Sequence, residues 1–446
     1  MKHLLLTSSA LMLMLWATAM TAIADNSLTS LIDTDFNGKA DTLTTAFISQ
    51  FLNQSKGTFW AVPKDQSNRD AETTYIYWQQ AHAMDALIYS YERIKSSSPT
   101  KANAYERYMK AWYNNHANNW YHDNNDPTGF LNEFTDDMCW ISLTLLHLSE
   151  ALGDDRYADM AKQVFDDYIE PRGWADEKGF WGLPWKSTDN GRNACTNAPG
   201  CLVSSKLYLK YGDEKYMETA IKICTYQLNE MKTKLNNDGR VENPPLTYTQ
   251  GTFAEACRQL YHITGESAYL QTAIKVTTYM LTNGSCTYQG ILRDEGPSMD
   301  QSIFKAVAIP YAVNMVLDEK VPLSSRKTFL RYLQTNAKTL WNNLDLSNYP
   351  KVYCNYYWGE PVDPTAVPSM GAMTSGVSLM ENVARMTIKL KEAEEAAGVP
   401  EVKDKESNGV SKMYSMDGRR VAEGTSFHDS LRKGIYVSNG KKVIVK

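Results

Sequence analysis

The chain has 446 residues, 43% of them hydrophobic, which suits one large domain or two ordinary ones around a sizeable core. A formal net charge of −5 without any basic block argues against nucleic acid as a partner and does not favour acidic polysaccharide. The 27 Tyr and 11 Trp stand against 12 Phe, a balance of apolar faces with polar tips that suits a half-wet cleft for a neutral, hydroxyl-rich ligand.

At the start of the chain, Lys2 and His3 form a short polar segment, Leu4 to Trp16 is largely apolar, and Ala22-Ile23-Ala24 supplies a small-x-small cleavage pattern. Residues 1–24 therefore read as a signal peptide cut after Ala24, too short and too interrupted to span a membrane. No later segment is apolar enough to do so, and no cysteine lies near the cut to carry a lipid. An exported protein is expected, periplasmic, surface-bound or secreted. Asp33 to Asp41 resembles the start of a calcium loop, but Thr44 stands where the twelfth-position Glu is needed, so a helix-capping turn is expected.

From about residue 39 to 392, apolar residues recur at three- and four-residue steps. Twelve helices are predicted, at 39–54, 72–95, 102–118, 136–151, 154–170, 194–211, 213–232, 249–264, 266–282, 299–317, 323–341 and 371–392. Three links are very short and pair a Gly with an acid: Gly153-Asp154, Gly212-Asp213 and Gly265-Glu266. The Gly can close one helix in a left-handed conformation and the acid favours the positive end of the next. The links in the other direction are long and aromatic. This asymmetry predicts an all-α fold over 25–392, a toroid of six α/α hairpins whose even-numbered helices form the inner ring, with the long loops on one open face. The small residues of Gly371 to Gly376 suit close packing around a ring axis. An open solenoid is the alternative, and loops this aromatic and Gly-rich disfavour it.

Residues 393–410 read as a charged linker, and 411–446 as a small β region with Asp417-Gly418 and Asn439-Gly440 as hairpin turns. This tail resembles the C-terminal sorting region of proteins exported across the outer membrane of Bacteroidetes; an accessory β-domain is the alternative. Of seven cysteines, Cys139, Cys224 and Cys257 fall in helical apolar patterns and are expected as buried thiols, while Cys195–Cys201 and Cys286–Cys354 remain open as disulfides. The seven histidines show no ligand-like spacing, so no metal site is expected.

Three acidic doublets differ in setting. Asp154-Asp155 fits helix capping and Asp166-Asp167 a solvated helix face. Asp136-Asp137 follows a long loop and opens the strongly apolar segment Met138 to Leu143, on an expected inner helix. Neighbouring carboxyls there can lie roughly 5 Å apart, the separation used by retaining glycosidases. Two acids so close do not easily both ionise, so one pKa should rise, leaving one anion and one proton donor. Aromatic and polar clusters precede other inner helices and offer sugar-binding candidates: Trp181, Trp185, Asn193, Tyr248, Gln250, Arg293, Asp294, Tyr357 and Trp358.

The run Asn132 to Asp137, then Trp181 to Trp185 with Asn193 to Asn197, then Thr247 to Phe253, resembles glycoside hydrolase family 76 in order and over most of residues 30–390. The resemblance implies a six-hairpin toroid and an endo-acting, retaining α-1,6-mannanase, with Asp136 as nucleophile and Asp137 as general acid/base. It implies α-mannan polysaccharide or oligosaccharide as partner, no cofactor, and a monomer. Leu183 and Pro184 stand where a more polar, Trp-rich segment is expected, which bears on subsite contacts. A transglycosylase of the same fold and a non-catalytic mannan-binding protein are the alternatives. Sugar epimerases also use such toroids, but His82, His147 and His262 form no evident acid/base pair in the sequence.

Overall fold

The computed structural model describes residues 27–73, 76–116, 126–230, 236–397 and four strands between 411 and 445. The expected signal peptide lies outside these residues. The chain divides into two units, Met1–Ile388 and Lys389–Lys446.

The first unit is built from α1 (Asn37–Phe51), α2 (Trp78–Ile94), α3 (Pro99–Asn115), α4 (Thr135–Leu152), α5 (Asp155–Val164), α6 (Ala194–Tyr211), α7 (Glu214–Asn229), α8 (Thr247–Thr264), α9 (Ser267–Thr282), α10 (Met299–Leu317), α11 (Leu323–Asn342) and, up to Ile388, α12 (Met370–Ala397). All twelve expected helices are present. Three boundaries differ in an informative way. α2 starts at Trp78 and not at 72, because Arg69–Thr73 forms a separate single turn. α5 gives way to a π turn at Phe165–Ile169 and a 3-10 turn at Glu170–Arg172, which ends in a Pro-containing segment. α12 runs through Ala397, so the first five residues of the expected linker are helical.

The short links behave as their chemistry dictates. Gly153, Gly212 and Gly265 take φ of 67°, 71° and 78° and close α4, α6 and α8. The Asp154 and Asp213 side chains then accept backbone N–H bonds from Arg156 and Lys215 to start α5 and α7. Glu266 makes no such side-chain cap.

The even-numbered helices form the inner ring. α2, α4, α6, α8 and α10 pack in sequence. α12 closes on α10 through Ser375 and Ser378, whose hydroxyls donate to the Ser302 and Ala306 carbonyls at 2.7 and 3.0 Å. Backbone approach at these joints demands small residues. A Cβ on Gly251 of α8 would lie 2.7 Å from Ala308 Cα of α10, and one on Gly371 of α12 would lie 2.7 Å from the Met299 carbonyl. The first and last hairpins are tied by Glu381 of α12, which accepts from Thr44 at 2.6 Å and pairs with Arg93 at 2.5 Å. The inner helices bury nearly all of their length; the outer ones bury one stripe.

Two small hairpins decorate the long loops: β1 (Trp174–Ala175) with β2 (Trp181–Gly182), and β3 (Thr287–Tyr288) with β4 (Ile291–Leu292). In the second unit β5 (Ser411–Ser415), β6 (Arg420–Gly424), β7 (Gly434–Ser438) and β8 (Lys441–Val445) form an antiparallel sheet in the order β6-β5-β7-β8. Ser438 pairs with Lys441 at the adjoining ends of β7 and β8. Both expected hairpin turns themselves lie outside the described residues.

All seven cysteines are free thiols, so neither of the two candidate disulfides forms. Cys201 is buried against the Ala220 carbonyl and Cys195 points to an aspartate, which separates that pair. At the calcium-like stretch, Asp33 pairs with Lys338 and Asp35 accepts the Asn37 backbone N–H at 2.9 Å, a capping turn. Among the described residues no group of three or more candidate ligands could hold a metal ion, and no helix is long and apolar enough to cross a membrane.

Candidate active site

At the end of the ring where the long loops converge lies a cleft of about 580 Å³. Its lining comes from the starts of successive inner helices: Tyr77, Trp78 and Gln79 at α2; Asn132, Phe134, Asp136, Asp137 and Trp140 at α4; Trp185, Asn193 and Cys195 at α6; Tyr248 at α8; Asp300 and Phe304 at α10. Helix N-termini carry partial positive charge, so this end of the ring favours anionic side chains.

The loop before α4 is held by a cation from elsewhere. Arg172, just past α5, donates to the Glu133 carbonyl at 2.9 Å, the Asn132 carbonyl at 3.0 Å and the Thr135 hydroxyl at 3.2 Å. A second loop pairs with it: the Thr135 N–H donates to the Trp185 carbonyl at 2.8 Å, and the Ser187 N–H to the Glu133 carbonyl at 3.0 Å. Arg192 braces that second loop, donating to the Phe180 carbonyl at 2.7 Å while its guanidinium lies between the Trp174 and Tyr226 rings. The result sets Trp185 beside Phe134, with ring centroids 5.1 Å apart, and beside Asp136.

The two aspartates are equipped differently. Asp136 accepts three bonds: the Trp185 indole N–H at 3.2 Å and the Cys195 thiol at 3.4 Å on Oδ2, and the Asp137 backbone N–H at 3.1 Å on Oδ1. Asp137 accepts one side-chain bond, from Asn132 Nδ2 at 3.0 Å. Burial raises the pKa of Asp136, its three donors restrain the rise, and it settles at about 6. Burial drives Asp137 well above the ordinary carboxylate range, and the charges of Asp136, Asp300 and Glu133 add to the rise. Asp136 therefore carries the negative charge at neutral pH and Asp137 the proton.

An aromatic wall faces the pair. Tyr248 stacks on Phe304 at 4.3 Å, and Trp78 stacks on Phe304 at 6.2 Å. Asp300 sits in the first turn of α10 and accepts from Trp78 Nε1 at 3.2 Å and Gln79 Nε2 at 2.5 Å.

Of the candidates read from sequence, the structure brings Asp136, Asp137, Trp185, Asn193 and Tyr248 into the cleft lining. The other six do not line it. Trp358 is completely buried, with Lys305 over its ring. Gln250 is completely buried and holds the preceding loop, accepting from the Val241 N–H at 2.5 Å and donating to the Gly239 carbonyl at 3.1 Å. Arg293 donates to the Pro245 carbonyl at 2.9 Å, and Asp294 accepts the Gly296 N–H at 2.7 Å within a turn. Trp181 lies in β2 with its ring against Gly173, and Tyr357 lies over Gly359. These residues brace loops, and their position before an inner helix did not by itself aim them inward.

Sequence reasoning missed Trp78, Asn132, Trp140, Cys195, Asp300 and Phe304. Asp300 had a signal, being an acid in the first turn of an even-numbered helix, like Asp136. Trp78 was hidden by the early start assigned to α2. The histidines also pair through a carboxylate: Asp85 accepts from His147 Nδ1 at 2.9 Å and lies 3.7 Å from His82 Nδ1. Neither histidine lines the cleft; His82 lies edge-on to Trp78 and Trp140, beneath its floor.

Six helical hairpins closed into a ring, with a carboxylate pair of divided protonation at its mouth, define a glycoside hydrolase of the α/α-toroid type. The chain belongs to glycosyl hydrolase family 76, whose model matches residues 36–393. Among solved structures it is similar to an inactive variant of the α-1,6-mannanase GH76A of Salegentibacter sp. HEL1_6, in which two consecutive aspartates are replaced by asparagine, in complex with α-1,6-mannotriose. That match is 25% identical, covers 79% of this chain and 100% of the other, and has a TM-score of 0.67. The Lin0763 protein from Listeria innocua is similar at 25% identity over 80% of this chain and 98% of its own, TM-score 0.67. The family 76 mannosidase Bt3792 from Bacteroides thetaiotaomicron VPI-5482 shares the fold at 17% identity, 81% and 100% coverage, TM-score 0.61. No curated relative matches this chain.

Proposed function

We propose that this chain is an endo-acting α-1,6-mannanase that cleaves α-mannan with retention of configuration. The observation that carries this reading is the unequal pair: Asp136 held as an anion by three donors, Asp137 beside it with one. In the first step the Asp136 carboxylate attacks the anomeric carbon while the Asp137 carboxyl donates its proton to the departing glycosidic oxygen, giving a glycosyl ester and a shortened chain. In the second step the Asp137 carboxylate takes a proton from water. The resulting hydroxyl oxygen attacks the anomeric carbon and the Asp136 carboxylate leaves, so both acids return to their starting states.

The aromatic wall offers faces for the C–H surfaces of mannose rings. Support for the linkage comes from the similar mannanase structures bound to α-1,6-mannotriose and α-1,6-mannotetrose. The export pattern at residues 2–24 supports a polymer met outside the cytoplasm.

The test is hydrolysis of unbranched α-1,6-mannan by the wild type, Asp136→Asn and Asp137→Asn, with products sized and the first-formed anomer read by NMR. Each substitution is expected to lower kcat by about a thousandfold, within the range ascribed to general acid–base groups and nucleophiles. Near-normal turnover in either variant removes that residue's role; a first-formed β product removes retention.

A further inference from the structure

Cys195 is an unexpected neighbour for a nucleophilic carboxylate. It occupies the second position of α6, behind the N-cap Asn193, whose side chain accepts the Thr196 N–H at 3.0 Å. That cap fixes the first turn and with it the direction of the thiol. Sγ lies 3.4 Å from Asp136 Oδ2, the same oxygen that takes the Trp185 indole N–H. Tyr248, at the start of α8, lines the same cleft. Two neighbouring inner helices, α6 and α4, are thus joined at their open ends by the donor Cys195 S–H and the acceptor Asp136.

We propose that Cys195 is a positioning residue for the reaction, its thiol set by the capped first turn of α6 so as to donate to Asp136 Oδ2 and fix that carboxylate as an oriented anion. A thiol can serve here only while protonated, because a thiolate 3.4 Å from a carboxylate would repel it. Burial keeps it so: it pushes the Cys195 thiol well above its ordinary range, with the charge of Asp136 adding to the rise. The group is thus an inert donor and not a competing nucleophile. An apolar residue of similar size would fill the same space but leave Oδ2 with the indole alone. The carboxylate would then be freer to rotate and easier to protonate.

This inference rests on the nucleophile assignment above, and the experiment keeps the two separable. Wild type, Cys195→Ser, Cys195→Ala and Asp136→Asn are compared as full-length proteins on unbranched α-1,6-mannan, with kcat and KM measured across pH and melting temperatures recorded. For Cys195→Ala, kcat is expected to fall about threefold, the effect of losing one weak hydrogen bond to a charged group, with KM unchanged. The acidic limb of kcat/KM should move to higher pH, because a donor that favoured the ionised Asp136 is gone. Cys195→Ser keeps a donor and should restore both kcat and the limb. If Cys195→Ala matches the wild type in kcat and in its acidic limb while Asp136→Asn is inactive, the role of Cys195 falls and the proposed function stands. An equal loss in the Ser and Ala variants with an unmoved limb also overturns it, because that pattern marks a packing defect. If Asp136→Asn retains normal turnover, both readings fall together.

Discussion

At the mouth of the ring the charges of Asp136 and Asp300 help to raise Asp137, and none of the three forms an ion pair among the described residues. Further along the same inner helices and at their ends, buried or half-buried carboxylates are each matched by a basic side chain. Asp85 meets His147, Glu255 meets Arg258 at 2.7 Å, Glu381 meets Arg93 at 2.5 Å, and Asp318 meets Arg258 at 3.0 Å. The consequence is opposite in sign. Burial pushes Asp85 upward, yet His147 and His82 outweigh it and hold the group down at about 2. Burial pushes Asp136 upward with donors too weak to cancel it, and the group sits at about 6. One desolvation effect acts at both ends, and the partners at hand decide whether a carboxylate is held ionised or pushed toward its protonated form.

The largest expected effect comes from orphaning a matched acid. Arg93→Ala leaves Glu381, which is 0% exposed, without its partner, and should destabilise the fold by about 3–5 kcal/mol in a denaturant titration. A loss below about 1 kcal/mol would mean that the pairing does not brace the ring.

Next comes the reverse experiment at the mouth. Asp136 and Asp137 have folded pKa values above their unfolded ones, so the stability they confer is complete below about pH 4 and is lost as pH rises through about 6 and beyond. The double Asn variant lacks this loss and should gain on the order of 2 kcal/mol over the wild type at pH 8, with little difference near pH 4. Asp85 works the other way. Its contribution is complete above about pH 4 and fades as pH falls toward 2, in wild type and variant alike. Parallel melting curves for the two proteins across pH 4–8 would erase the contrast between the ends of the ring.

A smaller shift is expected from Asp300→Asn. Removing that negative charge should let Asp137 ionise more readily and move the alkaline limb of kcat/KM to lower pH. An unmoved limb would show that burial and Asp136 alone hold the proton. The smallest effect is assigned to Trp185→Phe. The tilted ring contact with Phe134 survives but the indole donor to Asp136 is lost, so kcat/KM should fall about threefold, with the acidic limb rising slightly. A large fall instead would give Trp185 a direct contact with the sugar.

The helical hairpins were legible because their signals are local. Glycines with φ near +70° at 153, 212 and 265 and acids at the next position state where one helix stops and its partner begins. The same reading failed for Trp358, Gln250, Arg293 and Asp294. Being near the start of an inner helix says which end of the ring a residue occupies but not which way its side chain turns. Gln250 turned into the wall because the preceding loop had backbone groups to satisfy. Trp358 turned inward to be covered completely. Nothing local to either residue records those partners.

Sequence alone therefore determined the order of the hairpins, the end of the ring where the long loops meet, and the presence of two adjacent acids at that end, since all three follow from patterns within a few residues. Only the tertiary structure decided which of those acids is surrounded by donors and which faces another carboxylate. Trp185, Cys195 and Asp300 reach the pair from 49, 59 and more than 100 residues away, and burial, charge and hydrogen bonding are set by what lies nearby in space, however distant in the chain.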